Sequence, residues 1–140
     1  RMTTLRPEVT LDYLRHRQQG SLPDLLGVEV ISLESGVLVG ELPVRPVLLA
    51  PNGFLHAASV IGLADTCCGY ACLAHMPEGA KNFTTIELKS NHVGTAREGR
   101  ITAKATAVHL GRSTQVWDAV VTNAAGKTVA LFRCTQMILY

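Results

Sequence analysis

Asp65 lies in the stretch Asn52-Gly53-Phe54-Leu55-His56-Ala57-Ala58-Ser59-Val60-Ile61-Gly62-Leu63-Ala64-Asp65-Thr66, among small and apolar neighbours. An aspartate is a poor helix former and is almost never fully buried unless it is paired or used. Leu63, Ala64, Cys67, Cys68 and Gly69 would take this one out of water if the segment is a core helix. A carboxylate held there suits two kinds of chemistry: it serves as a general base, or it attacks a carbonyl carbon directly to give a mixed anhydride. The sequence does not separate them. At the N-terminal end of the segment, the first turn after His56 carries unpaired backbone N–H groups and the positive end of the helix dipole. Ala57 N–H, aimed at a carbonyl oxygen, would polarise the substrate and stabilise the oxyanion.

His56 and Asp65 are nine positions apart. On one helix that puts them roughly 13 Å apart along the axis and on opposite sides, at about 3.6 residues per turn. A single helix cannot bring both to one carbonyl. Two antiparallel helices related by a two-fold axis can, each lending its N-terminus to the Asp65 of the other. The expectation is a homodimer with two composite sites, with a dimer of dimers (a homotetramer) as its extension.

The elements that must hold this arrangement follow from the remaining pattern. Thr10, the amphipathic run 11–19 and Gly20 read as an N-cap, a short helix and a glycine stop. Residues 28–32 and 37–43 are β-rich, with Glu34-Ser35-Gly36 as their turn. Residues 45–54 hold Pro46, Pro51 and Gly53 and read as a loop, whereas about 56–74 suits a helix that Met76-Pro77-Glu78-Gly79 ends. Strands follow at 83–93, 99–109, 114–122 and 128–139, the last two joined by Asn123-Ala124-Ala125-Gly126-Lys127. The long helix is small or apolar nearly all round, so it must be wrapped on several sides. An α+β fold with an antiparallel sheet curled around one central helix does this with the fewest elements. Residues 1–140 then form a single domain, with an N-terminal helical segment over 1–27 and the core over 28–140.

Composition bounds the function. Hydrophobic residues make up 47% of the 140 and charged residues 17%, a globular balance with apolar surface to hide in an oligomer. A net charge of +2, spread along the chain, argues for neither nucleic acid nor membrane as partner. No uninterrupted apolar run reaches the roughly 20 residues of a bilayer span, and the N-terminal residues hold no apolar signal core. Arg1 before Met2 reads as a processing remnant. Cys67, Cys68 and Cys72 crowd one helical stretch and Cys134 stands apart; neighbours on one helix do not meet disulfide geometry, so reduced thiols in a cytoplasmic protein are expected. Cys68, Cys72 and His75, with Asp65, form a stripe of ligand types, but four groups along about 15 Å of helix do not converge on one tetrahedral ion, and no metal is expected.

The order of elements, Asn52-Gly53-x-x-His56 and Leu63-Ala64-Asp65-Thr66 resemble the hotdog-fold acyl-CoA thioesterases of the phenylacetic-acid-degradation (PaaI-like) type. Thr85-Ile86-Glu87-Leu88, His109-Leu110-Gly111-Arg112 and Gly126-Lys127-Thr128-Val129-Ala130 carry the same likeness, which covers roughly residues 28–140. It implies hydrolysis of an acyl-CoA thioester in dimers or tetramers, with no cofactor beyond the CoA of the substrate. It assigns Asp65 as base or nucleophile, Ala57 N–H as the carbonyl donor beside His56, and Thr85 as the residue that assists the carboxylate or its water. The family has His-Gly-Gly where this chain has His56-Ala57-Ala58, so the donor N–H is kept while methyl groups are added beside the acyl group. The family's activating Asn or Gln lies nearer Ala50, and Asn52 is the water-holding candidate here. Arg112, Lys89 and Arg97 are the cations offered to CoA phosphates, and Phe54, Leu55, Tyr70 and Phe83 are offered as pocket walls.

Two other functions stay in view. A non-catalytic acyl-CoA sensor would leave Asp65 without a task, and no helix-turn-helix extension accompanies the domain. A hotdog dehydratase or hydratase would need an Asp-x-Asn-x-x-x-x-His signature, which the chain lacks.

Overall fold

The computed structural model describes residues 5–140; Arg1, read as a processing remnant, lies outside them. Thr10 caps α1 (Leu11–Arg17) by accepting from Tyr13 N–H at 3.1 Å. The helix stops before Gln18, whose buried amide donates to Val28 O and accepts from the Tyr70 hydroxyl, both at 2.8 Å. A second short helix, α2 (Leu22–Leu26), was not expected. Its signal was legible: Pro23 in the first turn, and Gly27 at φ +90° as the stop.

Six strands form one antiparallel sheet: β1 (Glu29–Glu34), β2 (Val37–Pro43), β3 (Asn82–His92), β4 (Arg100–Leu110), β5 (Thr114–Thr122) and β6 (Thr128–Leu139). Their order across the sheet is β1-β2-β4-β5-β6-β3. Each expected strand is present: β2, β5 and β6 at the expected bounds, and β1, β3 and β4 with ends shifted by one or two residues. After β2 the chain makes a 3-10 turn at Pro46–Leu48 and then enters α3 (Ala57–Ala74), the central helix.

Alternation decides which side of the sheet receives α3. Ile101, Ala103 and Ala105 on β4, Trp117, Ala119 and Val121 on β5, and Phe132, Cys134 and Ile138 on β6 are buried. The residues of opposite parity are more open, as a half-buried antiparallel sheet requires. Small side chains let the layers close. Gly40 on β2 lacks a Cβ where one would stand 2.5 Å from Cys67 Sγ. Among the described helices, α3 alone has the length and apolarity of a bilayer span, and 61% of it is buried as the core of this fold.

The edge strand β3 is different. It pairs with β6 on one side only, and Ile86 and Leu88 remain 52% and 40% exposed. Among the described residues, nothing in the chain covers its other edge.

Candidate active site

Asp65 lies in the third turn of α3, half-buried, on the side that meets β3. Thr85 Oγ1 is 3.4 Å from its Oδ1, bringing together two of the residues singled out in the sequence. Burial pushes the Asp65 carboxyl up from its ordinary range, and the Thr85 contact pulls the other way. A carboxylate raised by desolvation is a stronger base than a free one, which is what proton abstraction from water needs.

The helix tip is built by its own cap. His56 is the N-cap of α3 (φ −66°, ψ 137°), and its Nδ1 accepts from Ala58 N–H at 2.9 Å. That places the ring proton on Nε2 and consumes the Ala58 donor, so Ala58 offers substrate its methyl rather than its N–H. Ser59 and Val60 N–H both reach His56 O. Among the described residues, nothing in the chain accepts from Ala57 N–H. It is the free donor of the first turn.

Asn52 lies in the turn before the helix. Its Oδ1 accepts from Phe54 N–H at 3.1 Å, while Ala50 N–H donates to Phe54 O at 2.7 Å. Asn52 therefore shapes the loop and leaves its NH₂ group exposed. Arg97 is drawn to the same end: Leu55 N–H donates to Ala96 O, and the Arg97 guanidinium stacks 4.4 Å from the Phe54 ring centroid.

The other two cations go elsewhere. Arg112 stacks over Tyr140 at 5.2 Å, beside Pro77, Glu78 and Gly79 at the C-terminal end of α3. Lys89 pairs in register with Arg133 on the outer face of the sheet, in a shallow cavity that also holds Asp118. It stands on the opposite face from Asp65. Of the offered pocket walls, Phe83 packs on Gly69 and Leu55 is buried under the loop. Tyr70 is tied to Gln18.

The ligand-type stripe on α3 resolves into core packing. His75 is fully buried; its Nε2 accepts from Gly36 N–H at 2.8 Å and its Nδ1 reaches Ala71 O at 2.7 Å. Cys67, Cys68, Cys72 and Cys134 are free thiols, all buried. Burial pushes Cys67 and Cys72 up to about 12, which removes them as nucleophiles near neutral pH.

Sequence reasoning missed Gln136. This fully buried residue accepts from the Thr85 hydroxyl at 2.8 Å. A signal existed: Phe132, Cys134, Gln136 and Ile138 alternate toward the helix, and an amide in that row needs a partner.

Comparison with known proteins bears on the fold and the family. Residues 52–130 match the family model of the thioesterase superfamily. A 1,4-dihydroxy-2-naphthoyl-CoA hydrolase of Listeria monocytogenes is 32% identical over 114 residues, covering 81% of this chain and 92% of the relative. The crystal structure of a mutant thioesterase from Pseudomonas aeruginosa superposes with a TM-score of 0.92 at 31% identity, covering 98% and 99% of the two chains. The PaaI protein of the Escherichia coli phenylacetic acid degradation operon gives 0.81 at 25% identity, over 94% and 97%.

Proposed function

The chain belongs to the thioesterase superfamily, as a hotdog-fold thioester hydrolase, and from this premise we propose that it cleaves an acyl-CoA whose acyl group is aromatic. The naphthoyl-CoA hydrolase among its relatives supports that substrate class. The products are the free acid and CoA, and the compartment proposed is the cytoplasm.

The observation that carries the mechanism is the separation of the two chemical groups. Asp65 stands beside the open edge strand β3, while the free Ala57 N–H lies at the far tip of α3, roughly 12 Å along the axis. Pairing β3 with the β3 of a second copy would set two α3 helices antiparallel, so that each Asp65 faces the other copy's helix tip. The thioester carbonyl oxygen then accepts from Ala57 N–H of one copy. Asp65 of the other takes a proton from water as the water attacks the carbonyl carbon. The tetrahedral intermediate collapses with loss of the CoA thiolate, which leaves as the thiol once protonated. In the nucleophilic variant, Asp65 attacks the carbonyl carbon first and the C–S bond breaks with loss of the CoA thiolate, leaving a mixed anhydride that water hydrolyses.

In this reading His56 caps the donor turn, Asn52 turns its NH₂ group toward the attacking water, and Thr85 sets the environment of Asp65. Arg97, at the helix tip, is the cation best placed within one chain for a CoA phosphate; Arg112 stands at the C-terminal end of α3 and Lys89 on the outer face of the sheet.

The test is a panel of short-acyl, long-acyl, phenylacetyl and hydroxybenzoyl thioesters with a free-thiol readout, run on wild type and Asp65→Asn. Turnover concentrated on aryl thioesters and lost in Asp65→Asn is the expected result. Turnover that survives the substitution removes the mechanism, and binding without turnover favours an acyl-CoA sensor.

A further inference from the structure

Two glutamines are fully buried on the helix side of the sheet, Gln115 and Gln136. Gln115 has a structural task, donating to His75 O at 2.9 Å and accepting from Trp117 Nε1 at 2.8 Å. Gln136 is aimed at the site. It sits opposite Thr85 in the β3–β6 register, and the Thr85 hydroxyl meets its Oε1 at 2.8 Å but Asp65 Oδ1 only at 3.4 Å. A hydroxyl has one proton to give, and O–H···O bonds cluster near about 2.7–2.8 Å and run out by about 3.0 Å. The Thr85 proton is therefore held mainly by Gln136, and Asp65 is left a contact too long for a strong hydrogen bond.

The other end of the amide agrees. Gln136 Nε2 lies 3.4 Å from Cys134 Sγ. The sulfur can accept and an NH₂ can only donate, so this contact matches the amide orientation that turns Oε1 toward Thr85.

We propose that Gln136 is a positioning residue for Asp65: it draws away the Thr85 proton and so denies the carboxylate a donor that would weaken it as a base. The proposal deepens the functional reading above and rests on Asp65 being the base. A carboxylate that accepts hydrogen bonds is stabilised as the anion and loses basicity. Gln136 keeps that bond long and weak at 3.4 Å, so burial outweighs it at Asp65.

Two readouts test this on the intact protein: a ¹³C titration of the Asp65 carboxyl without substrate, and the pH profile of kcat/KM on benzoyl-CoA. Gln136→Met keeps the volume and frees the Thr85 proton to turn toward Asp65. The expected result is an Asp65 pKa lower by about half to one unit, an acid limb of kcat/KM that moves down with it, and a kcat several-fold lower at unchanged KM. In a Thr85→Val background, Gln136→Met should produce no such shift. Thr85→Val alone, an isosteric change that tests the point even if Gln136→Met fails to fold, should leave the Asp65 titration within about 0.3 units of wild type.

An Asp65 pKa that rises by about one unit in Thr85→Val, or that stays or rises in Gln136→Met, overturns the proposal, because Thr85 would then be donating to Asp65 already. If the carboxyl titration moves as expected but the acid limb does not follow, Asp65 is not the base. That result sinks the proposed function and leaves the hold of Gln136 on Thr85 intact.

Discussion

The His75 imidazole accepts the Gly36 N–H at 2.8 Å across 39 residues of sequence, tying the end of the core helix to the β1–β2 turn. Its other nitrogen meets Ala71 O at 2.7 Å, so the ring carries its proton on Nδ1 and a lone pair on Nε2. Trp117 covers the ring at 5.1 Å between centroids.

A second proton on His75 would abolish the Gly36 bond. Burial lowers the His75 pKa below its ordinary value near 6.5, with the Ala71 carbonyl pulling weakly upward. The unfolded chain therefore binds the proton first as pH falls. The stability contribution is complete above about pH 6.5 and is lost as pH drops toward the folded-state value, at up to about 1.4 kcal/mol per unit. Urea midpoints measured between pH 7.5 and 5 should fall accordingly, and His75→Gln should flatten the slope.

Asp65→Asn should lower kcat by about 10²–10⁴-fold, the usual span for losing a positioned base. It should also raise Tm by a few degrees at pH 7, because Asn carries no charge to desolvate. The sign follows from the raised carboxyl pKa: the folded state holds the proton more tightly, so ionisation at neutral pH opposes folding. The gain should shrink below about pH 4, where the wild-type carboxyl is protonated in both states. Calorimetry at the two pH values reads it directly.

Ala57→Pro removes the free N–H with little disturbance, because proline is favoured at the first helical position and His56 already has the backbone angles a residue before proline adopts. We expect intact folding and a loss of about 10²–10³ in kcat. Unfolding and refolding an equal mixture of Ala57→Pro and Asp65→Ala chains tests the shared site. Half the dimers should be mixed and each should hold one intact site of its two, restoring about a quarter of wild-type activity. Mixed dimers that form and stay inactive would show that each chain completes its own site.

Gly40→Ala should destabilise the fold by about 1–3 kcal/mol, since the new methyl would meet Cys67 Sγ at 2.5 Å. Adding Cys67→Ala clears the sulfur and should recover most of the loss. Failure of the double variant to recover would show that the Cys67 contact does not set the cost, since Glu29 O and Leu63 stand at ordinary contact distance, 3.5 and 3.7 Å, from the same position.

Much of the architecture was legible because it is written in local sequence signals. Turn residues and β propensity marked β4, β5 and β6, and the proline-free run after His56 marked α3. The short α2 escaped because a five-residue helix has no period to show, only its Pro23 and Gly27 punctuation. At the site, Asp65 stood out as a charge among apolar neighbours. Lys89 was offered to CoA phosphates, and strand parity places its side chain on the outer face, opposite Arg133.

The sequence alone determined the helix that carries Asp65, the donor turn at Ala57, and the distance that keeps them apart, since rise per residue depends only on position along the chain. Only tertiary structure decided which groups surround the carboxylate. Pairing of β3 with β6 brings Thr85 and Gln136 face to face across 51 residues. A hydrogen bond between distant strands depends on register and on the bulge after Thr85, and no pattern in either strand encodes the other's alignment.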